Sequence, residues 1–188
     1  MGEEINKKVS PQIGTKRAYS MALIVAFVLV AGTFFLTESY YNSQFTVLYS
    51  LDKQENDKAI VSLIDTADRY VYFAIYLFSM DDIAQALVRA KERGVVVWGI
   101  MDKEGASTAS AAVLETLHSA GIGVETQKHP DGIMHIKAVV TDKGYASGSY
   151  NWTGSATKVN HEVLEVGTNR YLHDEYYKIL KKILLANE

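Results

Sequence analysis

The stretch His135–Thr153, HIKAVVTDKGYASGSYNWT, decides how the rest of the chain reads. It begins inside the apolar-rich run Ile133–Thr141. His135 and Lys137 are two residues apart, so on a strand they point to one face. Asp142 follows where the strand runs out. Lys143-Gly144 reads as a turn, and Tyr145–Ser147 as a short returning strand. Gly148-Ser149-Tyr150-Asn151-Trp152-Thr153 then sets small and polar positions around two aromatics. One imidazole, one ammonium, one hydroxyl and one amide thus converge at one end of a sheet. These groups suit a phosphodiester. The ammonium and the Ser149 and Asn151 donors can bind non-bridging oxygens. An imidazole can attack phosphorus or protonate a leaving oxygen.

His135-x-Lys137-x4-Asp142, followed by Gly148-Ser149-x-Asn151-x-Thr153, resembles the signature of the phospholipase D superfamily. The resemblance continues at Asn160-His161-Glu162, where members carry an acidic residue at the start of another strand, and extends more loosely over 44–188. One copy of the signature is present, as in the short single-motif branch that includes bacterial and mitochondrial nucleases. The resemblance implies a two-step displacement without a metal, in which two copies of the motif make one site. Single-motif members obtain the second copy by forming a homodimer, so a two-fold axis would bring two His135 side chains together. One would become a phosphohistidine and the other would serve as acid, then as base. Lys137, Ser149 and Asn151 would bind the phosphate. Glu162 would accept a hydrogen bond from the His135 imidazole and fix its tautomer. Asp142 belongs to the signature and joins the site on that ground, although hydrogen bonding within the local fold is the more natural work for it. Thr153 and Asn160 read as supports behind the site. His129 and His161 lie near the signature in sequence but are read as exposed.

The 188 residues, 48% hydrophobic and 22% charged, suit one globular domain plus an extension. There is no Cys, hence no disulfide or thiolate chemistry. The five His form no H-x-x-x-H or H-E-x-x-H pair, so neither a metal site nor a cofactor is expected.

Ala18–Leu36 is a 19-residue run without a charge, preceded by Lys7, Lys8, Lys16 and Arg17 and followed by Glu38. About 20 apolar residues span a bilayer as a helix. The run exceeds the ordinary length of a cleavable signal core, which favours a retained anchor over a cleaved signal peptide. Positive residues before it place the N-terminus in the cytoplasm and the domain outside, periplasmic or extracellular. The expected organisation is a cytoplasmic segment at 1–17, an anchor or signal at 18–37, a linker at 38–43 with interfacial or ordinary Tyr40 and Tyr41, and a catalytic domain at 44–188. Residues 38–188 carry 15 Lys/Arg and 20 Asp/Glu, a net of −5. That balance argues against strong non-specific nucleic-acid binding, but leaves local cationic groups free to act.

Within the domain, strands are expected at Gln44–Ser50, Tyr70–Phe78, Val95–Met101, Ile122–Thr126 and Glu162–Gly167, besides the signature hairpin. Helices are expected at Asp57–Ala67, from Ser79 or Asp81 as cap to a stop at Gly94, at Ala109–Ala120, as a turn over Gly154–Val159, and at Tyr171–Leu185 with Tyr176, Ile179, Leu180 and Ile183 inward. Leu51–Asn56 reads as a charged turn, and Asp102–Thr108 and Gln127–Gly132 as loops. Strands alternating with helices point to an α/β fold with a mixed, largely parallel sheet flanked by helices. Three functions stay open: a nuclease on DNA or RNA, a phospholipase D on lipid headgroups, and a scaffold domain without chemistry. A basic groove would favour the first and an apolar rim the second.

Overall fold

The computed structural model describes residues 12–42, 44–106, 110–128 and 131–188. Lys7, Lys8, His129, part of the Asp102–Thr108 and Gln127–Gly132 loops and the side chain of Tyr41 lie outside the described residues. Two units result, divided between Ser43 and Gln44.

Among the described residues the first unit contains one helix, α1 (Gln12–Asn42). Its segment Lys16–Glu38, 23 residues, is long and apolar enough to cross a membrane. At 1.5 Å per residue such a segment covers the roughly 30 Å of a hydrocarbon core. The helix runs on through most of the stretch expected as a linker.

The second unit runs β1 (Phe45–Tyr49), α2 (Ser50–Lys53), α3 (Asn56–Asp65), β2 (Tyr70–Ile75), α4 (Asp81–Glu92), β3 (Val96–Met101), α5 (Ala111–Ser119), β4 (Gly123–Thr126), β5 (Lys137–Thr141), β6 (Tyr145–Gly148), α6 (Gly154–Lys158), β7 (Val163–Gly167) and α7 (Arg170–Asn187). The seven strands form one sheet in the order β1-β7-β6-β5-β2-β3-β4. The sheet is mixed and flanked by helices, as expected, but not largely parallel. Among the described strands β2–β3 and β3–β4 pair in parallel, while β1–β7, β7–β6, β6–β5 and β5–β2 are antiparallel. The reason is connection length. Helical crossovers join the strands of the parallel half. The tight turn from Thr141 to Tyr145 can only reverse the chain, with the Thr141 N–H donating to the Gly144 carbonyl at 2.8 Å. A Cβ on Gly144 would stand 2.5 Å from the Gly167 carbonyl oxygen, so only glycine lets this turn lie against the end of β7.

Alternation along the central strands builds two cores. Val71, Phe73 and Ile75 of β2 and Val139 of β5 face Ile60, Ile64, Ile83, Leu87 and Trp152. Ala74, Ala138 and Val140 face Tyr145 and the Leu180–Leu184 stripe of α7. That stripe is rotated from the expected one: Ile179 is 45% exposed, and Leu184 takes its place inside. The expected turn after β1 is one helical turn, α2, ended by Gln54 in the left-handed region at φ 55°. Neither Ser79 nor Asp81 caps α4. Met80 occupies the cap position, because the Trp152 carbonyl accepts the N–H groups of both Ser79 and Met80 and fixes the chain's entry. Asp81 and Asp82 in the first turn still oppose the helix dipole.

Candidate active site

The sheet register brings four strand ends together. Lys137 opens β5 opposite Ile75 at the end of β2. Ser147 near the end of β6 pairs with Ala138, and Gly148 with Leu164 near the start of β7. His135, Lys137, Ser149, Asn151 and Glu162 all hang from this edge. Such strand ends are where open α/β sheets bind ligands.

His135 lies just before β5 rather than on it, with an exposed side chain. Lys137 is 6% exposed, and its Nζ donates to the His135 carbonyl at 2.9 Å. Burial pulls the Lys137 ammonium below its ordinary pKa, and the nearby Glu162 carboxylate opposes that shift.

Asn151 Oδ1 accepts the Leu77 N–H at 3.1 Å. A backbone N–H can only donate, so this bond fixes which end of the amide faces Leu77. The amide NH2 of Asn151 is left to donate elsewhere, as phosphate binding requires. Ser149 differs from expectation. Its hydroxyl donates to Glu162 Oε2 at 2.5 Å and accepts the Val163 N–H at 3.1 Å. A hydroxyl has one proton, so Ser149 reaches a phosphate only by giving up Glu162.

Glu162 also differs. Its carboxylate is held by Ser149 and by the Asn160 amide at 3.3 Å, and among the described residues no hydrogen bond joins it to the His135 ring. Asn160 thus contacts the site through Glu162. Thr153 is the cap of α6, accepting the Ala156 N–H at 3.2 Å.

Asp142 is placed away from this edge, at the opposite end of β5. Its Oδ1 accepts the N–H groups of Asp68 and Arg69 at 3.0 and 3.1 Å, and Oδ2 lies 3.3 Å from Lys143 Nζ. Burial pushes its carboxyl up, but the Arg69 and Asp68 N–H groups and the Lys143 ammonium outweigh burial, and the pKa falls below the ordinary carboxylate range. Seven residues of nearly extended chain, roughly 20 Å, separate it from His135. The expectation that Asp142 joins the site is therefore corrected: Asp142 fastens the start of β2.

Sequence reasoning passed over three residues. The buried Ser50 hydroxyl donates to the Asn160 carbonyl at 2.6 Å and accepts the Glu162 N–H at 3.0 Å, clamping the segment that carries Glu162. The buried Asp102 carboxylate accepts the Met134 N–H at 2.8 Å and the Glu104 N–H at 2.9 Å, holding the chain one residue before His135. Tyr76 packs its ring against His135. Ser50 and Tyr76 sat in runs read as strand and core, and no spacing signal marked them.

Residues 60–184 match the family model described as cardiolipin synthase, PLD-like domain. A phospholipase D of Rickettsia conorii is 33% identical over 120 residues, covering 63% of this chain and 59% of that protein. A mitochondrial cardiolipin hydrolase of Xenopus tropicalis is 30% identical over 125 residues, covering 66% of this chain and 59% of that protein. The chain thus spans 59% of the length of these relatives. Among solved structures, Nuc from Salmonella typhimurium, described as a phospholipase D family member, superposes with a TM-score of 0.67 at 29% identity, over 74% of this chain and 92% of that one. NucT from Helicobacter pylori gives 0.64 at 27% identity, over 75% and 96%. With a family model over most of its length and one copy of the signature at the shared strand edge, the chain belongs to the phospholipase D superfamily, as a single-motif member carrying its PLD-like domain.

Proposed function

We propose that this chain is a phosphodiesterase that works through a phosphohistidine on His135, needs no metal, and cleaves nucleic acid. The observation that carries the reading is the strand edge itself: an exposed imidazole beside a buried ammonium and an amide whose NH2 has no hydrogen-bond partner among the described residues. In the first step a ring nitrogen of His135 attacks phosphorus, the P–O bond to the leaving group breaks, and the leaving oxygen takes a proton from the partner subunit's His135. In the second, that imidazole removes a proton from water, which attacks phosphorus and frees His135. Lys137 and Asn151 hold the non-bridging oxygens, and Ser149 joins them when it turns from Glu162. Glu162 balances the charge on Lys137. The homodimer follows from chemistry that needs two imidazoles where each chain supplies one signature. The single copy of the signature, as in the short branch that includes nucleases, favours nucleic acid. The apolar part of α1 anchors the domain on the extracytoplasmic side.

A second reading, hydrolysis of a phospholipid headgroup, is favoured by two exposed apolar side chains near the site in sequence. Ile133, two residues before His135, is 54% exposed, and Val159, beside Asn160, is 70% exposed. The same reading draws support from the relatives named phospholipase D and cardiolipin hydrolase.

The test is an assay of the full chain in detergent with EDTA, run in parallel on single-stranded DNA, RNA and phospholipid vesicles, with His135→Ala as blank. Cleavage of nucleic acid alone supports the first reading, and headgroup release alone supports the second. No activity on any of them counts against both.

A further inference from the structure

The backbone of Tyr76 is fixed from three sides. Ile75 before it pairs with Lys137 in the β2–β5 ladder. Leu77 after it donates to Asn151 Oδ1 at 3.1 Å and accepts the Trp152 N–H at 3.0 Å. The turn at Gly105 presses against its carbonyl: a Cβ on Gly105 would stand 1.8 Å from the Tyr76 oxygen.

The ring so placed meets both groups of the proposed chemistry. Its centroid lies 4.7 Å from that of the His135 ring, with the planes tilted by 60°. It lies 5.1 Å from Lys137 Nζ. Among the described residues the His135 imidazole makes no hydrogen bond and touches no other ring, so packing against Tyr76 is what directs it.

We propose that Tyr76 is a positioning residue whose ring holds the Lys137 ammonium and aims the His135 imidazole at phosphorus. The inference rests on the roles given above to His135 and Lys137. Two effects follow from one ring. The negative face of an aromatic ring attracts a cation, most strongly where water is excluded. Lys137 is in such a place, with Glu162 facing it from the start of β7, His135 from its own segment and Tyr76 from the end of β2. An edge contact between rings also narrows the directions an otherwise exposed imidazole can take. Attack needs a near-linear approach over about 3–3.5 Å, so loss of direction lowers kcat more than it raises KM.

The sign of the pH effect is fixed. Phosphate binding needs the charged ammonium, so activity falls as pH rises through the Lys137 pKa. Burial already lowers that pKa, and Glu162 raises it. Removing the ring takes away a second stabiliser of the charged form, so the alkaline limb moves to lower pH.

The test follows Lys137 directly, by 13C NMR titration of its ε-carbon in the full chain in detergent micelles, assigned with Lys137→Arg. Tyr76→Phe, Tyr76→Leu and pentafluorophenylalanine at position 76 are compared with wild type. The fluorinated ring keeps the shape while weakening the negative face, so it separates the effect from any failure of Tyr76→Leu to fold. Tyr76→Phe should titrate as wild type, while the other two should titrate at least about 0.5 pH unit lower. The alkaline limb of the pH–rate profile should move with them, and kcat of Tyr76→Leu should fall at least about tenfold with KM little changed. Unchanged Lys137 titration in both ring-altered variants would overturn the proposal. A shift in a chain that cleaves no phosphodiester would support the ring's hold on Lys137 and overturn the functional reading instead.

Discussion

The Lys137 ammonium donates a hydrogen bond to the backbone carbonyl of His135, at 2.9 Å. The cation is thereby tied to the main chain of the residue that would attack phosphorus. One of its three N–H bonds is used, leaving two for phosphate oxygens. Lys137→Met should keep the fold, since a buried ammonium exchanged for an apolar chain loses a desolvation cost. It should lower kcat by about 10²–10³-fold, the usual loss for one charge-stabilising donor. Circular dichroism and steady-state kinetics on the same sample check both halves.

The Ser149 hydroxyl donates to the Glu162 carboxylate at 2.5 Å. If they act as a unit, Ser149→Ala and Glu162→Gln should each lower kcat, and the double variant should be about as impaired as the worse single one. A coupling of about 1–2 kcal/mol is expected in the double-mutant cycle. Effects that multiply would show that the two residues act separately.

Asn151 permits a sharper substitution. Asn151→Asp keeps the oxygen that accepts the Leu77 N–H, so thermal stability should change little. It replaces the donating NH2 with a second oxygen that repels phosphate. Activity should fall by about 10²-fold or more, with KM raised as well. A variant that melts early would place Asn151 with the framework rather than the substrate.

Asp142 should behave in the opposite way. Asp142→Ala leaves the N–H groups of Asp68 and Arg69 unpaired and should cost about 2–3 kcal/mol in urea unfolding. The folded fraction should keep its kcat. Because the folded carboxyl titrates below its ordinary value, its stabilisation is complete above about pH 5 and disappears as pH falls through the folded pKa. The difference between wild type and variant should therefore close in acid.

Much of this was legible in the chain. Helix and strand order followed from periodicity, and the signature led to the strand edge where His135, Lys137, Ser149, Asn151 and Glu162 gather. Direction of pairing was less legible, because short apolar strands read the same in either sense. Fine hydrogen bonding was illegible for a related reason. A Ser and a Glu 13 residues apart become partners only when β6 and β7 lie side by side. Asp142 joins the site only through the resemblance to the family signature, and a strand of five residues separates the ends at which Asp142 and His135 work. Tyr76 was hidden by its neighbours: in YVYFAIYLF it looks like one more core aromatic, and only the end of β2 at Ile75 turns it into the site.

The most direct test of the central claim is to trap the covalent intermediate. The full chain is mixed with its best phosphodiester substrate and quenched in alkali, where a phosphohistidine survives. Intact-mass and peptide mass spectrometry then locate any adduct. The expected result is a phosphoryl adduct on His135 during turnover, absent from His135→Ala, which should also be inactive. Turnover by wild type that persists undiminished in His135→Ala would contradict the account.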